Sequence, residues 1–157
     1  MGIKITAAQL GPTITRKLKE VNQGILRAVT NAAEFGKAAS IKKTSDSGVV
    51  DRGLFKNSWD AKTLRNGAEI RNDCPYASVI EVGSRPHWAP FKAIYEWARR
   101  KFGGDEVETR RIARAVQRKI ARSGTKPHFI AKSLLPAIKK ELKRECDRIV
   151  EQVARKG

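Results

Sequence analysis

Apolar residues recur at alternating intervals of four and three positions along the first quarter of the chain. This spacing places them in one narrow stripe on an α-helix, and it predicts a long amphipathic helix from residue 12 to about residue 43. Pro12 suits the first turn of that helix, where its missing N–H costs nothing. Gly24 and Gly36 weaken the helix unless another element packs closely there. The residues of the stripe are Ile14, Leu18, Val21, Ile25, Ala28, Ala32, Phe35 and Ala39.

The pattern changes to a period of two after a polar stretch at residues 44–52, which is predicted to be a flexible loop. Alternation over residues 58–64 and again over residues 68–72 predicts two antiparallel strands. Asn66 and Gly67 both tolerate a positive φ, so they are predicted to form the two-residue hairpin turn. For residues 76–82 a third strand and a short helical turn remain alternatives.

Helical periodicity returns in the second half of the chain. One helix is predicted to begin at Phe91 and to end at Gly103, and Asp105 with Glu108 has the spacing of a capping box that starts the next. A last helix is predicted over residues 129–154. The residues expected to face inward in the two middle helices are Phe91, Ile94, Tyr95, Ala98, Phe102, Ile112, Ala113, Val116 and Ile120.

These elements predict an α+β fold in which long N- and C-terminal helices pack on a small antiparallel sheet. Two further helices are predicted within residues 85–123. Residues 1–10 are expected to be an N-terminal arm, and residues 1–157 to form a single domain, which suits a chain of 157 residues.

The positive charge of the chain is concentrated in its predicted helices. Lys and Arg number 33 against 16 Asp and Glu, so the formal net charge is +17. Basic and acidic residues balance over residues 45–90, whereas residues 91–128 carry a strong basic excess. A surface of this kind is typical of a protein that meets a polyanion or an acidic partner.

The third predicted helix carries the candidate DNA- or partner-facing residues. Cations stacked one turn apart repel each other unless an anion meets them, so a phosphate backbone or an acidic groove is one interpretation. A solvated helix face is the alternative. The candidates are Arg110, Arg111, Arg114, Arg118, Lys119 and Arg122. Trp88 and Trp97 are expected to be buried, and only Trp59 lies on a predicted strand, too few aromatic residues for a stacking platform.

Patterns typical of enzymes and cofactor sites do not occur in the sequence. No nucleophile elbow, phosphate loop or dinucleotide-binding turn is present, so we expect no catalytic residue and no cofactor. Cys74 and Cys146 with His87 and His128 match no metal-ligand spacing, and the cysteines are interpreted as small apolar side chains, with a disulfide as the alternative. Five carboxylates in the sheet region leave a metal-dependent nuclease as a minor alternative, namely Asp51, Asp60, Glu69, Asp73 and Glu81.

The sequence also predicts no membrane span and no targeting signal. The uncharged stretch at residues 5–15 is too short and too polar to span a bilayer, and no secretory signal follows Met1. The expectation is therefore a protein without membrane contact.

Three short segments, in this order, resemble motifs of one known family. Residues 53–59 resemble a segment with Gly, Leu and Ser that precedes a hairpin. Residues 76–84 are similar to a Tyr-Ala-x-x-(Val/Ile)-Glu-Phe-Gly-(Thr/Ser) motif, with Val82 in place of the aromatic residue, and residues 124–130 resemble the Pro- and Phe-containing start of a closing helix. The matching residues, for which the resemblance implies structural roles, are Gly53, Leu54, Ser58, Trp59, Tyr76, Glu81, Gly83, Gly124, Pro127 and Phe129.

Together these segments resemble the head–tail joining, or tail completion, proteins of tailed bacteriophages. The resemblance implies a non-enzymatic virion protein that forms a homo-oligomeric ring around the DNA channel, with neck, tail-tube or tape-measure proteins as partners. It also implies a location in the neck or tail of the virion, and in the host cytoplasm during assembly. Compared with shorter members of this family, residues 85–123 form a helical insertion, so tail terminator, completion protein and connector remain alternatives. A non-sequence-specific nucleic-acid-binding protein is a further alternative.

Overall fold

The computed structural model describes residues 7–49 and 51–155, which form an α+β fold that is 71% helical. Its strands form one two-stranded antiparallel sheet. In chain order the elements are α1 (Ala7–Asp46), α2 (Leu54–Asn57), β1 (Trp59–Leu64), β2 (Gly67–Asn72), α3 (Ala77–Val82), α4 (Phe91–Phe102), α5 (Glu106–Ser123) and α6 (Ile130–Arg155). The predicted fold class, with long first and last helices, is confirmed.

The chain divides into two compact units. Unit 1 contains residues up to Ala39, Asp60–Arg71 and residues from Leu134 onward. Unit 2 contains Ser40–Trp59 and Asn72–Ser133. That residues 1–157 form a single domain stays a prediction.

Helix α1 begins earlier than the sequence pattern predicts. Pro12 lies in the second turn of the helix, not the first, and residues 7–10 are helical, although they were predicted to belong to an N-terminal arm. Residues 1–6 of that arm lie outside the described residues. At its other end α1 continues through Thr44 to Asp46, so the predicted loop at residues 44–52 starts three residues too early. Thr44 is fully buried and donates to the Ser40 carbonyl oxygen, which extends the helix.

In unit 1 the buried face of α1 is lined by small residues. Gly24 packs against Ile149 of α6, and Gly36 packs against Ile70 of β2 and Ile138 of α6. A Cβ atom on either glycine would overlap these side chains. The two glycines therefore allow β2 and α6 to pack closely against α1, and this packing offsets the helix stability that glycine costs. The predicted apolar stripe is only partly buried. Ala28 and Ala32 are buried, whereas its exposed members are Ile14, Leu18, Ile25 and Phe35.

The hairpin of the sheet forms where it was predicted, but with a different turn. Arg65 and Asn66 form the turn, and Gly67 is already the first residue of β2. Neither Asn66 nor Gly67 has a positive φ, so the conformational reason given for their choice is wrong. Residues 77–82 form the helix α3, which decides between the two alternatives for that stretch.

In unit 2 the helices α4 and α5 pack against each other. Their core contains Ile94, Ala98 and Ala113, with half-buried residues around it as predicted. The Asp105 side chain accepts a hydrogen bond from the Glu108 N–H at 2.7 Å, so the predicted cap of α5 is confirmed. Phe102 was predicted to be buried but is 55% exposed, because it lies in the last turn and contacts the edge of Trp97.

None of the helices within residues 7–49 and 51–155 carries an apolar stretch of the length needed to cross a membrane.

Candidate partner interface

Two of the three family-like segments are joined by hydrogen bonds in unit 2. Both carboxylate oxygens of Glu81, at the end of α3, accept hydrogen bonds from the first turn of α6. The donors are the N–H groups of Ala131 at 3.1 Å and Lys132 at 2.9 Å. These N–H groups have no partner inside the helix, and a carboxylate there also opposes the positive end of the helix dipole. The backbone adds two bonds, from His128 N–H to the Ile80 carbonyl and from Phe129 N–H to the Glu81 carbonyl.

Gly83 and Gly124 meet where these same two segments cross. Ser84 and Thr125 form an isolated antiparallel bridge, with a 3.2 Å hydrogen bond in each direction. Both glycines have a positive φ, and a Cβ on either would lie closer than 3 Å to a backbone carbonyl oxygen of the opposite segment. Only glycine fits both demands.

The first family-like segment builds a small aromatic cluster. Gly53 has a positive φ and precedes the short helix α2. Phe55 and Trp59 are buried and contact each other edge to face at 5.6 Å. The indole N–H of Trp59 donates to the hydroxyl oxygen of Thr44 at 3.1 Å. Leu54 and Tyr76, in contrast, are exposed, so not every residue of the segments belongs to the core.

The candidate cations of α5 fall into two groups. Arg110 pairs with Glu106 and lies over the Tyr95 ring, and the guanidinium of Arg114 lies 4.2 Å from the centre of the Phe91 ring. These two arginines are therefore engaged within the protein. The other four are exposed and form no ion pair with the described residues: Arg111, Arg118, Lys119 and Arg122.

Trp88 departs most from its predicted environment. It was expected to be buried, but 71% of its surface is exposed. The loop that carries it lies beside the last turns of α5. The His87 N–H donates to the Ile120 carbonyl, and the Gln117 side chain donates to the Ala89 carbonyl at 2.8 Å. Hydrogen bonds on both sides of Trp88 fix the backbone of the loop, and in this conformation the indole remains exposed.

An open cleft of about 800 Å³ lies in unit 2 beside α4. Leu54, Tyr76 and Trp97 line it. Although Tyr76 is exposed as a whole, partial desolvation of its hydroxyl group, followed by a hydrogen bond with Cys74, raises the pKa of that hydroxyl. Asp51 pairs with Arg100 in the lining of this cleft, where Nε and Nη2 of the guanidinium donate to the two carboxylate oxygens. This hydrogen bond from Arg100 lowers the pKa of Asp51.

Three of the five carboxylates considered for metal binding have separate partners. Asp51 pairs with Arg100, Asp60 with Lys37 and Arg71, and Glu81 with the start of α6. Among residues 7–49 and 51–155, no three His, Cys, Asp or Glu side chains lie close enough to hold a metal ion. His87 and His128 are exposed, and Cys74 and Cys146 are free thiols.

Comparisons with known protein families, curated proteins and solved structures found no match. The roles of these residues therefore rest on the sequence and on their geometry alone.

The Asp51–Arg100 pair makes a pH-dependent contribution to stability. Because the pKa of Asp51 is lower in the folded protein, the contribution is complete above the ordinary aspartate pKa and is lost as the pH falls through the folded value. We expect Asp51→Asn to be less stable than wild type near neutral pH, and the difference to vanish in strong acid. Denaturant titrations at several pH values measure it.

Arg100→Gln provides the matched test of this pair. Its free energy of unfolding should fall below that of wild type by about the same pH-dependent amount as that of Asp51→Asn. The Asp51→Asn, Arg100→Gln double variant should be no less stable than either single variant. Fully additive losses would contradict the assignment.

Proposed function

We propose that this protein is a structural component of a tailed-bacteriophage virion that acts at the head–tail junction or at the top of the tail. It assembles there as a homo-oligomeric ring around the DNA channel, as a tail completion protein, terminator or connector. Its partners are neck, tail-tube or tape-measure proteins, and it is made in the host cytoplasm. The proposal assigns it no enzymatic activity and no cofactor.

The observation that supports this proposal most is the hydrogen-bonded junction between the second and third family-like segments. Glu81, Gly83 and Gly124 are residues of the resemblance, and each has a mechanical task at that junction. These residues, for which the resemblance implies structural roles, thus have structural tasks in this fold, which supports the proposal. Their tasks, capping a helix and allowing close backbone contact, are those of a scaffold.

The distribution of charge supports a role beside DNA. Arg111, Arg118 and Arg122 lie on the outer face of α5, and no carboxylate of the described residues forms an ion pair with them. They offer contacts to phosphates, which carry no sequence information. Protein copies with a net charge of +17 repel each other, so assembly should be favoured by added salt or by DNA that neutralises the charge.

Native mass spectrometry and negative-stain microscopy test the ring directly. The purified protein is examined at low salt, at about 0.5 M salt, where charges are screened over a few ångströms, and with duplex DNA. We expect closed rings of one copy number in salt or with DNA, and fewer at low salt. A protein that stays monomeric under all three conditions would overturn the proposed assembly.

The second candidate is a non-sequence-specific nucleic-acid-binding protein that works without a ring. The exposed cations of α5 favour it as well, and it predicts tight, salt-dependent binding by a monomer. A metal-dependent nuclease is the weaker alternative, because Asp51 and Glu81 are held by other partners. Cleavage of DNA that requires a divalent metal and is lost in Asp51→Ala would favour it.

A further inference from the structure

We infer that the loop of residues 84–89 and the C-terminal half of α5 form a binding surface for single-stranded nucleic acid. Trp88 stacks on an unpaired base, and the neighbouring arginines contact the phosphates. The inference rests on the geometry of unit 2 and does not depend on the proposed role in a virion.

The loop lies against α5 along its whole length. Ser84 pairs with Thr125 just beyond the helix, His87 bonds to Ile120, and Ala89 bonds to Gln117 one turn earlier. The loop and the helix therefore run antiparallel, and Trp88 lies between two of these attachments. Because its backbone is already fixed, a ligand that binds the indole has little loop entropy to overcome.

Exposed cations lie in the loop itself and on the C-terminal half of α5. Arg118 and Lys119 come between Gln117 and Ile120, the two α5 residues that hold the loop, and at about 100° per residue they project from the flanks of the helix and not from the face against the loop. Arg122 follows one turn later, and Arg85 is exposed in the loop itself. A helix with its side chains is about 10–12 Å across, so these cations lie within a few nucleotides of the ring. The arginines already engaged, Arg110 and Arg114, lie further towards the helix start.

An exposed aromatic ring among cations favours a single strand over a duplex. Bases in a duplex stack on each other and hide their faces, whereas an unpaired base is free to stack on an indole, an interaction that contributes about 1–3 kcal/mol. The cations then hold the backbone of the same strand. A protein partner would have to supply an aromatic side chain for Trp88 and separate carboxylates for the cations, whereas each unpaired nucleotide supplies a base and a phosphate together.

Fluorescence anisotropy with a labelled oligothymidylate of about 12 nucleotides, a length that covers one such site, tests the surface. We expect Trp88→Ala to weaken binding about 5- to 150-fold at fixed salt, the range expected when one base can no longer stack. The dependence on salt should not change, because the substitution removes no charge. Trp88→Phe should restore part of the affinity.

The cations are tested by their effect on the salt dependence. Changing Arg118, Lys119 and Arg122 together to Gln should reduce the slope of log affinity against log salt by about 2, or about 0.7 for each phosphate that is no longer neutralised. The matched control changes three exposed arginines of unit 1 to Gln, which removes the same charge: Arg16, Arg65 and Arg155. The control should keep nearly the wild-type slope.

Several results would overturn this inference. The inference fails if Trp88→Ala binds oligothymidylate as tightly as wild type does. It also fails if the two triple variants show the same decrease in the slope of log affinity against log salt. Tighter binding of a duplex of the same length, or of polyglutamate, would assign the surface to another partner. If Trp88→Ala abolishes ring formation and leaves oligothymidylate binding intact, Trp88 belongs to a subunit interface, and the proposed function survives while this inference fails.

Discussion

Replacing Gly124 with alanine is expected to lower the free energy of unfolding by about 3 kcal/mol or more, the range of a strained backbone combined with a steric clash. Gly124 ends α5 with a φ of 67°, and an added Cβ would lie closer than 3 Å to the Ser84 carbonyl oxygen. This oxygen belongs to the bridge between residues 84 and 125, so it is not free to move away. Thermal or denaturant unfolding followed by circular dichroism measures the loss.

Gly103 provides a control in the same backbone conformation. It ends α4 with a φ of 64°, yet no atom lies within 4 Å of the position that its Cβ would take. Gly103→Ala should therefore cost only about 1–3 kcal/mol, the penalty of a backbone conformation that is almost restricted to glycine, and less than Gly124→Ala, which adds the clash. Equal losses in the two variants would show that the close approach at Gly124 contributes nothing.

Replacing Glu81 with alanine is expected to destabilise the protein by about 2 kcal/mol, because it leaves two N–H groups at the start of α6 without their charged acceptor. The loss should resemble that of an N-terminal cap, although Glu81 lies 50 residues away from Ala131 in the sequence. Glu81→Gln keeps one acceptor oxygen and should lose about half as much, by the same reasoning. Chemical denaturation at neutral pH measures both.

A second glutamate, on α6 itself, serves as the reference for this measurement. Glu151 is exposed near the end of α6 and forms no hydrogen bond with the described residues, so Glu151→Ala should change stability by less than about 0.5 kcal/mol. If Glu81→Ala were no worse than Glu151→Ala, the cap would have no energetic role.

Features with a local signal could be predicted from the sequence. The cap formed by Asp105, the glycines that end α4 and α5, and the alternation of the two strands each depend on neighbouring residues only. These short-range patterns specify where an element begins and ends. The predicted turn, Asn66–Gly67, lies one residue later than the observed turn, Arg65–Asn66. The prediction chose Asn66 and Gly67 because both are residue types that are typical of turns.

Features that depend on distant partners could not be predicted. The buried face of α1 is set by isoleucines of β2 and α6. It consists of small residues four positions apart, Gly24, Ala28, Ala32 and Gly36, and a row with this spacing is inclined to the helix axis and crosses the predicted heptad-like stripe. The exposure of Trp88 depends on bonds from its neighbours to Gln117 and Ile120, some thirty residues later. No pattern around Trp88 itself contains that information.

The Ser84–Thr125 bridge also bears on how the chain could have acquired its α4–α5 helical pair. The chain leaves and re-enters the rest of unit 2 at two adjacent backbone positions, which is the arrangement at the root of an inserted module. An excision or exchange of the whole hairpin between these positions would need only a short turn to rejoin the ends. Lengthening, replacing or removing this appendage would therefore change the framework mainly at the ion pairs that α4 makes with residues 51 and 52.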